Sequence, residues 1–131
     1  MERSSLPLLH GKAERLAERR TKVSKKVSDI LPKTEILAQL AEEASELAQA
    51  ALKLRRALDG TNPTPKSVAE CEANLMEEFA DIDNVTSALF DVWFGDDFKS
   101  ENEFWNAVRE IEDAKYNRWL SRLEAKENKN G

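Results

Sequence analysis

"TEILAQLAEEASELAQAALKLRRALDG", Thr34 to Gly60, is the stretch that decides how this chain folds. Leu37, Leu40, Ala44, Leu47, Ala51, Leu54 and Leu58 recur at alternating spacings of three and four, which gives a helix one continuous apolar face. Thr34 opens that helix and Asp59-Gly60 closes it, because glycine enters the left-handed conformation at a helix end without steric cost. A helix of this kind faces the core of a bundle. Beside the stripe stand three carboxylates, Glu42, Glu43 and Glu46, and packing alone gives no reason for them.

Working outward, the flanking segments follow the same grammar. Leu16, Val23, Val27 and Ile30 fall at helical spacing and predict a first helix over residues 12 to 30, stopped at Leu31-Pro32 because proline cannot continue it. After the turn-rich "GTNPTP" of residues 60 to 65, Ser67 and Glu70 form a capping-box pattern. Leu75, Phe79, Ile82, Leu89 and Trp93 then mark a helix running to Phe94. "GDDFK" makes the last loop. Ser100 with Glu103 predicts a second capping box, opening a helix that carries Phe104, Val108, Ile111, Trp119 and Leu123, and the polar segment from Lys126 is expected to fray. Nothing alternates with the period of a strand. The reading is all-α, a bundle of about four helices, divided into a basic N-terminal helix and linker (1–33), a helical unit (34–125) and a polar tail (126–131).

Composition agrees. The 131 residues suffice for one domain with a real core, only four are Gly and four Pro, and 34% are charged. No apolar run is long enough to span a bilayer, and the first residues lack the apolar segment of a secretory signal, so a cytoplasmic protein with no membrane partner is expected. The single cysteine, Cys71, excludes an intramolecular disulfide and reads as a structural thiol. The net charge of −5 is uneven: residues 1 to 31 hold eight Lys/Arg against four Asp/Glu. That basic segment interleaves acids and has no aromatics, so it reads as a solvated helix face, with no specific nucleic-acid partner expected.

The chemistry lies in two clusters. Glu43 and Glu46 are three apart, and in "NLMEEFADIDNV", Asn74 to Val85, so are Glu78 and Asp81. Residues three apart share a helix face, so each pair is a two-pronged oxygen donor at the edge of an apolar stripe. If the helices pack antiparallel the pairs face one another, and four carboxylates near a core edge require a cation between them. Oxygen donors without His or Cys suit Mg²⁺, with Mn²⁺ as a possible substitute. A di-iron centre is disfavoured, since it needs Glu-x-x-His pairs and the one histidine is His10. Mg²⁺ of this kind commonly shares its shell with substrate phosphates, and Lys53 and Arg56, on the face of Glu46, are candidate phosphate contacts. There is no Gly-rich phosphate loop and no Ser-His-Asp or Cys-His set, which leaves a metal-activated water as the nucleophile.

"LAQLAEEASELAQAALKLRRALDGTNPTP" followed by "NLMEEFADIDNV" resembles the MazG-like nucleotide pyrophosphohydrolases, all-α NTP pyrophosphatases related to dimeric dUTPases and phosphoribosyl-ATP pyrophosphohydrolases. The likeness covers roughly residues 34 to 93, with a weaker echo in "KYNRWLSRLE". The motif EExxE followed by ExxD falls on Glu42, Glu43 and Glu46, then on Glu78 and Asp81, with Lys53 where a basic residue lies near the phosphates. The resemblance implies Mg²⁺-dependent hydrolysis of a nucleoside triphosphate to the monophosphate and pyrophosphate, on a helical catalytic domain that assembles as a homodimer or homotetramer. Glu43, Glu46, Glu78 and Asp81 are then the metal ligands, and Glu42 orients a ligand or the water. The aromatics Trp93, Phe94, Phe104, Trp105 and Trp119 also point to a homo-oligomer, being more than a short helix buries by itself. The competing expectation is a bundle that holds a nucleotide or a partner helix without turnover.

Overall fold

The computed structural model describes residues 25 to 61 and 65 to 130. These residues form a single 3₁₀ turn at Val27–Asp29 and three α-helices: α1 (Lys33–Asp59), α2 (Val68–Phe94) and α3 (Phe98–Asn130). There is no strand among them, so the class is all-helical. No helix among the described residues is long and apolar enough to cross a membrane.

The helix expected over residues 12 to 30 falls mostly outside the described residues, and its visible end is not α-helical. Asp29 accepts a hydrogen bond from the Lys26 N–H at 2.9 Å, and the N–H groups of Ile30 and Leu31 both donate to the Val27 carbonyl. That closes one tight turn. The chain then passes Leu31 and, with Pro32 at the N-cap, enters α1 at Lys33, one residue before Thr34.

Local chemistry sets the other boundaries. Gly60, at φ 68°, donates its N–H to the Arg56 carbonyl at 2.9 Å and ends α1 in the left-handed conformation. Asp59 then holds Thr61 through both its N–H (2.9 Å) and its hydroxyl (2.6 Å). The Ser67 hydroxyl oxygen accepts from the Glu70 N–H at 3.1 Å and starts α2, which runs to Phe94 as its apolar pattern predicts. α3 begins two residues before Ser100. The cap is Asp97, whose carboxylate accepts from the Ser100 N–H (3.1 Å) and hydroxyl (2.7 Å), so Ser100 is the capped residue and not the capping one. At its far end α3 continues through Lys126 to Asn130, and the polar tail is helical.

α1 and α2 form the main tertiary pair. They run antiparallel: Ile36, near the start of α1, packs with Ala88 and Leu89, near the end of α2. In α1 the residues withdrawn from solvent are Ile36, Leu40, Glu43, Leu47, Ala50, Lys53, Leu54, Arg56 and Ala57. Leu40, Leu47 and Leu54 belong to the expected stripe, but Leu37, Ala44, Ala51 and Leu58 are exposed. The helix is therefore rotated from its most apolar face toward one that includes Glu43. The matching seam of α2 is Cys71, Leu75, Glu78, Ile82, Val85, Leu89 and Val92, while Phe79 and Trp93 of the expected stripe are exposed.

α3 joins this pair through an aromatic cluster. The Phe90 ring lies 5.0 Å from that of Trp105 and 5.2 Å from that of Phe104, in tilted and edge-on geometry, and Phe94 and Val108 complete the packing. Burying a phenylalanine stabilises by roughly 1.5–3 kcal/mol, and favourable ring pairs add about 0.5–1.5 kcal/mol. Lys33 places its Nζ 4.6 Å from the centre of the Trp93 ring, tying the first turn of α1 to the last turn of α2. Trp119 stays outside the cluster, with only Tyr116 as an aromatic neighbour at 6.4 Å.

Candidate metal centre

The two carboxylate pairs meet. Glu43 and Glu78 occupy seam positions on facing helices, and in each helix the residue three further on, Glu46 or Asp81, stands toward solvent on the same side. One oxygen from each of the four lies within 4.8 Å of the others. Around a single Mg²⁺, with bonds of about 2.1 Å, ligand oxygens are ~3–4 Å apart. The four side chains are therefore near the spacing that one divalent cation requires.

Within the quartet, Glu43 and Glu78 have a raised affinity for protons. Burial pushes the Glu43 carboxyl above its ordinary value, and the charges of Glu46, Asp81, Glu78 and Glu42 push the same way. Glu78 is raised by burial, by the charges of Glu46 and Asp81, and by a hydrogen bond with the Glu46 carboxyl. Glu43 Oε2 and Glu78 Oε2 are both shielded from solvent with no hydrogen-bond partner. Acidic pairs on a helix surface are common without any ligand. Withdrawing a carboxylate oxygen from water is costly unless a proton or a cation compensates it. The donor set, all hard oxygen with no nitrogen or sulfur, fits Mg²⁺ or Mn²⁺. Among the described residues no second group of His, Cys, Asp or Glu converges in this way.

The remaining candidates take different places. Glu42 is exposed and outside the quartet, acting on Glu43 through its charge. Lys53 and Arg56 are half-buried on α1, displaced from Glu46 along the axis by ~10 and ~15 Å at 1.5 Å per residue. They stand beside the quartet and not in it. Glu101, only 1% exposed in the first turn of α3, was not marked by any sequence pattern, and the helix N-terminus there favours its negative charge.

Comparison with protein-family models, curated proteins and solved structures returned no match. The functional reading rests on the chemistry of the quartet.

Proposed function

We propose that this chain is a Mg²⁺-dependent nucleoside triphosphate pyrophosphohydrolase, cleaving its substrate with water to the nucleoside monophosphate and pyrophosphate. The observation that carries the reading is the convergence of Glu43, Glu46, Glu78 and Asp81, two of them inside the α1–α2 seam. Carboxylate-bound Mg²⁺ retains open positions that suit phosphate oxygens and water, so the ligand is a polyphosphate and not a bare anion or an apolar molecule. The resemblance to MazG-like enzymes supplies the bond that is cleaved.

In this reading Glu43, Glu46, Glu78 and Asp81 hold the metal. When bound, Mg²⁺ neutralises phosphate charge and lowers the pKa of a coordinated water. Glu42, exposed and next to Glu43 in sequence, would orient a ligand or the water. Lys53 and Arg56 line the direction along α1 in which a polyphosphate extends, and their cationic ends bind its outer oxygens.

The test is pyrophosphate release from a panel of canonical and modified NTPs and dNTPs with Mg²⁺. Glu46→Gln or Asp81→Asn should lower kcat by about 10²–10³-fold, the scale of a lost transition-state electrostatic group, with the far-UV CD spectrum unchanged. A variant that retains activity within about threefold of wild type removes that residue from the site. If no nucleotide yields pyrophosphate while one still binds, the chain is a binding or regulatory bundle.

A further inference from the structure

We propose that the second half of α3 is a binding surface for single-stranded nucleic acid, with the phosphates along one stripe of cations and a base stacked on Trp119. The surface is independent of the metal site, and its test is run with metal removed.

α3 is 33 residues long, yet its buried residues, Glu101 and Trp105, both lie near its start, and every residue from 117 to 130 is exposed. Residues 114 to 130 carry five basic side chains, Lys115, Arg118, Arg122, Lys126 and Lys129, against two acidic ones. The five are not scattered. Their spacings of three, four, four and three keep them within an arc of ~80°, at ~100° per residue, in a stripe ~21 Å long. None of the five forms an ion pair among the described residues. Like charges three and four apart on a helix repel, and a polyanion laid along the stripe relieves that repulsion. Trp119, 57% exposed, borders the stripe, with Tyr116 edge-on to it at 6.4 Å on the side away from the cations.

Charge and shape together select the occupant. The chain's net charge of −5 does not decide what this surface meets, because at ~0.1 M salt exposed charges more than ~10 Å away are screened. One nucleotide reaches too few of the cations to fill a stripe ~21 Å long, whereas a strand repeats its phosphates along it. The aromatic margin favours a single strand over a duplex. An exposed ring stacks an unpaired base, and the bases of a duplex are already stacked on one another. An anionic lipid surface is the poorer match. Lying on a membrane with Trp119, Leu120 and Leu123 downward, the helix would press Glu127 into the headgroups, since Glu127 stands ~20° from Leu120 and ~40° from Leu123 around the axis. A strand on the basic side faces away from both Glu124 and Glu127.

Fluorescence anisotropy of a labelled single strand of ~20 nucleotides and mixed sequence, with the full chain in EDTA, tests this. Wild type should bind with a micromolar dissociation constant at ~50 mM salt, and raising salt to ~200 mM should weaken binding by about 100-fold, as expected when five cations each meet a phosphate. Arg118→Gln with Arg122→Gln should bind more weakly and reduce that salt effect to about 20-fold. Trp119→Ala should weaken binding by about 5–100-fold with the salt effect unchanged. These side chains are exposed, so each variant should keep the wild-type CD spectrum. Lys99→Gln, on the same helix but on the side opposite the stripe, should change binding by less than about twofold. No binding at ~50 mM salt, or a double variant that keeps the full salt effect, would overturn the proposal. So would a duplex of the same sequence bound at least as tightly while Trp119→Ala changes nothing. Binding to phosphatidylserine vesicles but not to the strand would overturn it in favour of a membrane surface.

Discussion

Glu43 stands where a bundle helix ordinarily places an aliphatic side chain, with Ile36 and Ala50 one heptad away on either side, each 2% exposed. Glu78 has the same situation on α2, between Cys71 and Val85. Without metal, ionising either one places a charge in a desolvated, already negative environment, so both carboxyls titrate above the ordinary 4.5. A carboxyl whose folded pKa is raised binds its proton more tightly when folded than when unfolded. Its contribution to stability is therefore most favourable below 4.5 and declines as pH rises through the raised value. In EDTA, thermal scans should show melting fall as pH rises from 4.5 toward neutrality, and Glu43→Gln should flatten that slope and melt no lower than wild type at pH 7. A mutant that melts well below wild type at pH 7 would mean the carboxylate stabilises the metal-free fold. Asp59 and Asp97 have the opposite sign. Thr61 and Ser100 respectively hold their carboxyls below 3.8 by hydrogen bonding, so their stabilisation is complete above 3.8 and is lost only at more acid pH.

At the scale of the element, helix ends carry energies that substitution can read separately from the core. Ser67 accepts the Glu70 N–H, and Ser67→Ala should reduce stability by about 1 kcal/mol, the usual loss for an N-cap hydroxyl. Gly60 gives a cleaner backbone test, because a Cβ built there meets nothing within 4 Å. Gly60→Ala should still destabilise by about 1 kcal/mol, from the left-handed φ alone. Urea denaturation with an unchanged m-value checks both, and a neutral Gly60→Ala would show that the chain relaxes out of that conformation. The ends also show the limit of pattern reading. Ser100 and Glu103 have the spacing of a capping box, but Asp97 is a stronger acceptor three residues earlier and takes the role. Two candidate caps within one turn compete, and short-range geometry settles the competition.

For the whole molecule, α1 and α2 make the frame and bring the carboxylate quartet together, and α3 is attached through one aromatic cluster. A cation that binds the folded quartet and barely binds the unfolded chain stabilises by mass action. Titrating Mg²⁺ from EDTA to a hundredfold excess over its Kd should raise the melting temperature of wild type by about 10 °C, and that of Glu43→Gln far less. The two melting curves should therefore separate or change order as Mg²⁺ rises. Equal shifts for both proteins, or none with a nucleotide analogue present, would reduce the quartet to solvated charge.

What the sequence determined by itself is local. The three-and-four spacing from Leu37 to Leu58 makes α1 a helix, Gly60 and Ser67 bound the break that follows, and the i, i+3 spacing of Glu43–Glu46 and Glu78–Asp81 makes each a two-oxygen donor, because these depend only on residues within a turn or two. What the tertiary structure decided is rotation and register. Around Leu40, Leu47 and Leu54, α1 offers two seams: Leu37, Ala44, Ala51 and Leu58 on one side, or Ile36, Glu43, Ala50 and Ala57 on the other. Hydrophobicity alone favours the first. The fold uses the second, with Glu43 among the residues withdrawn into it. Which face of α1 is buried depends on the surface that α2 presents in antiparallel register, a relation between segments far apart in the chain that no local periodicity encodes. The same long-range choice brings four oxygens within 4.8 Å of one another and leaves residues 117 to 130 of α3 exposed among the described residues.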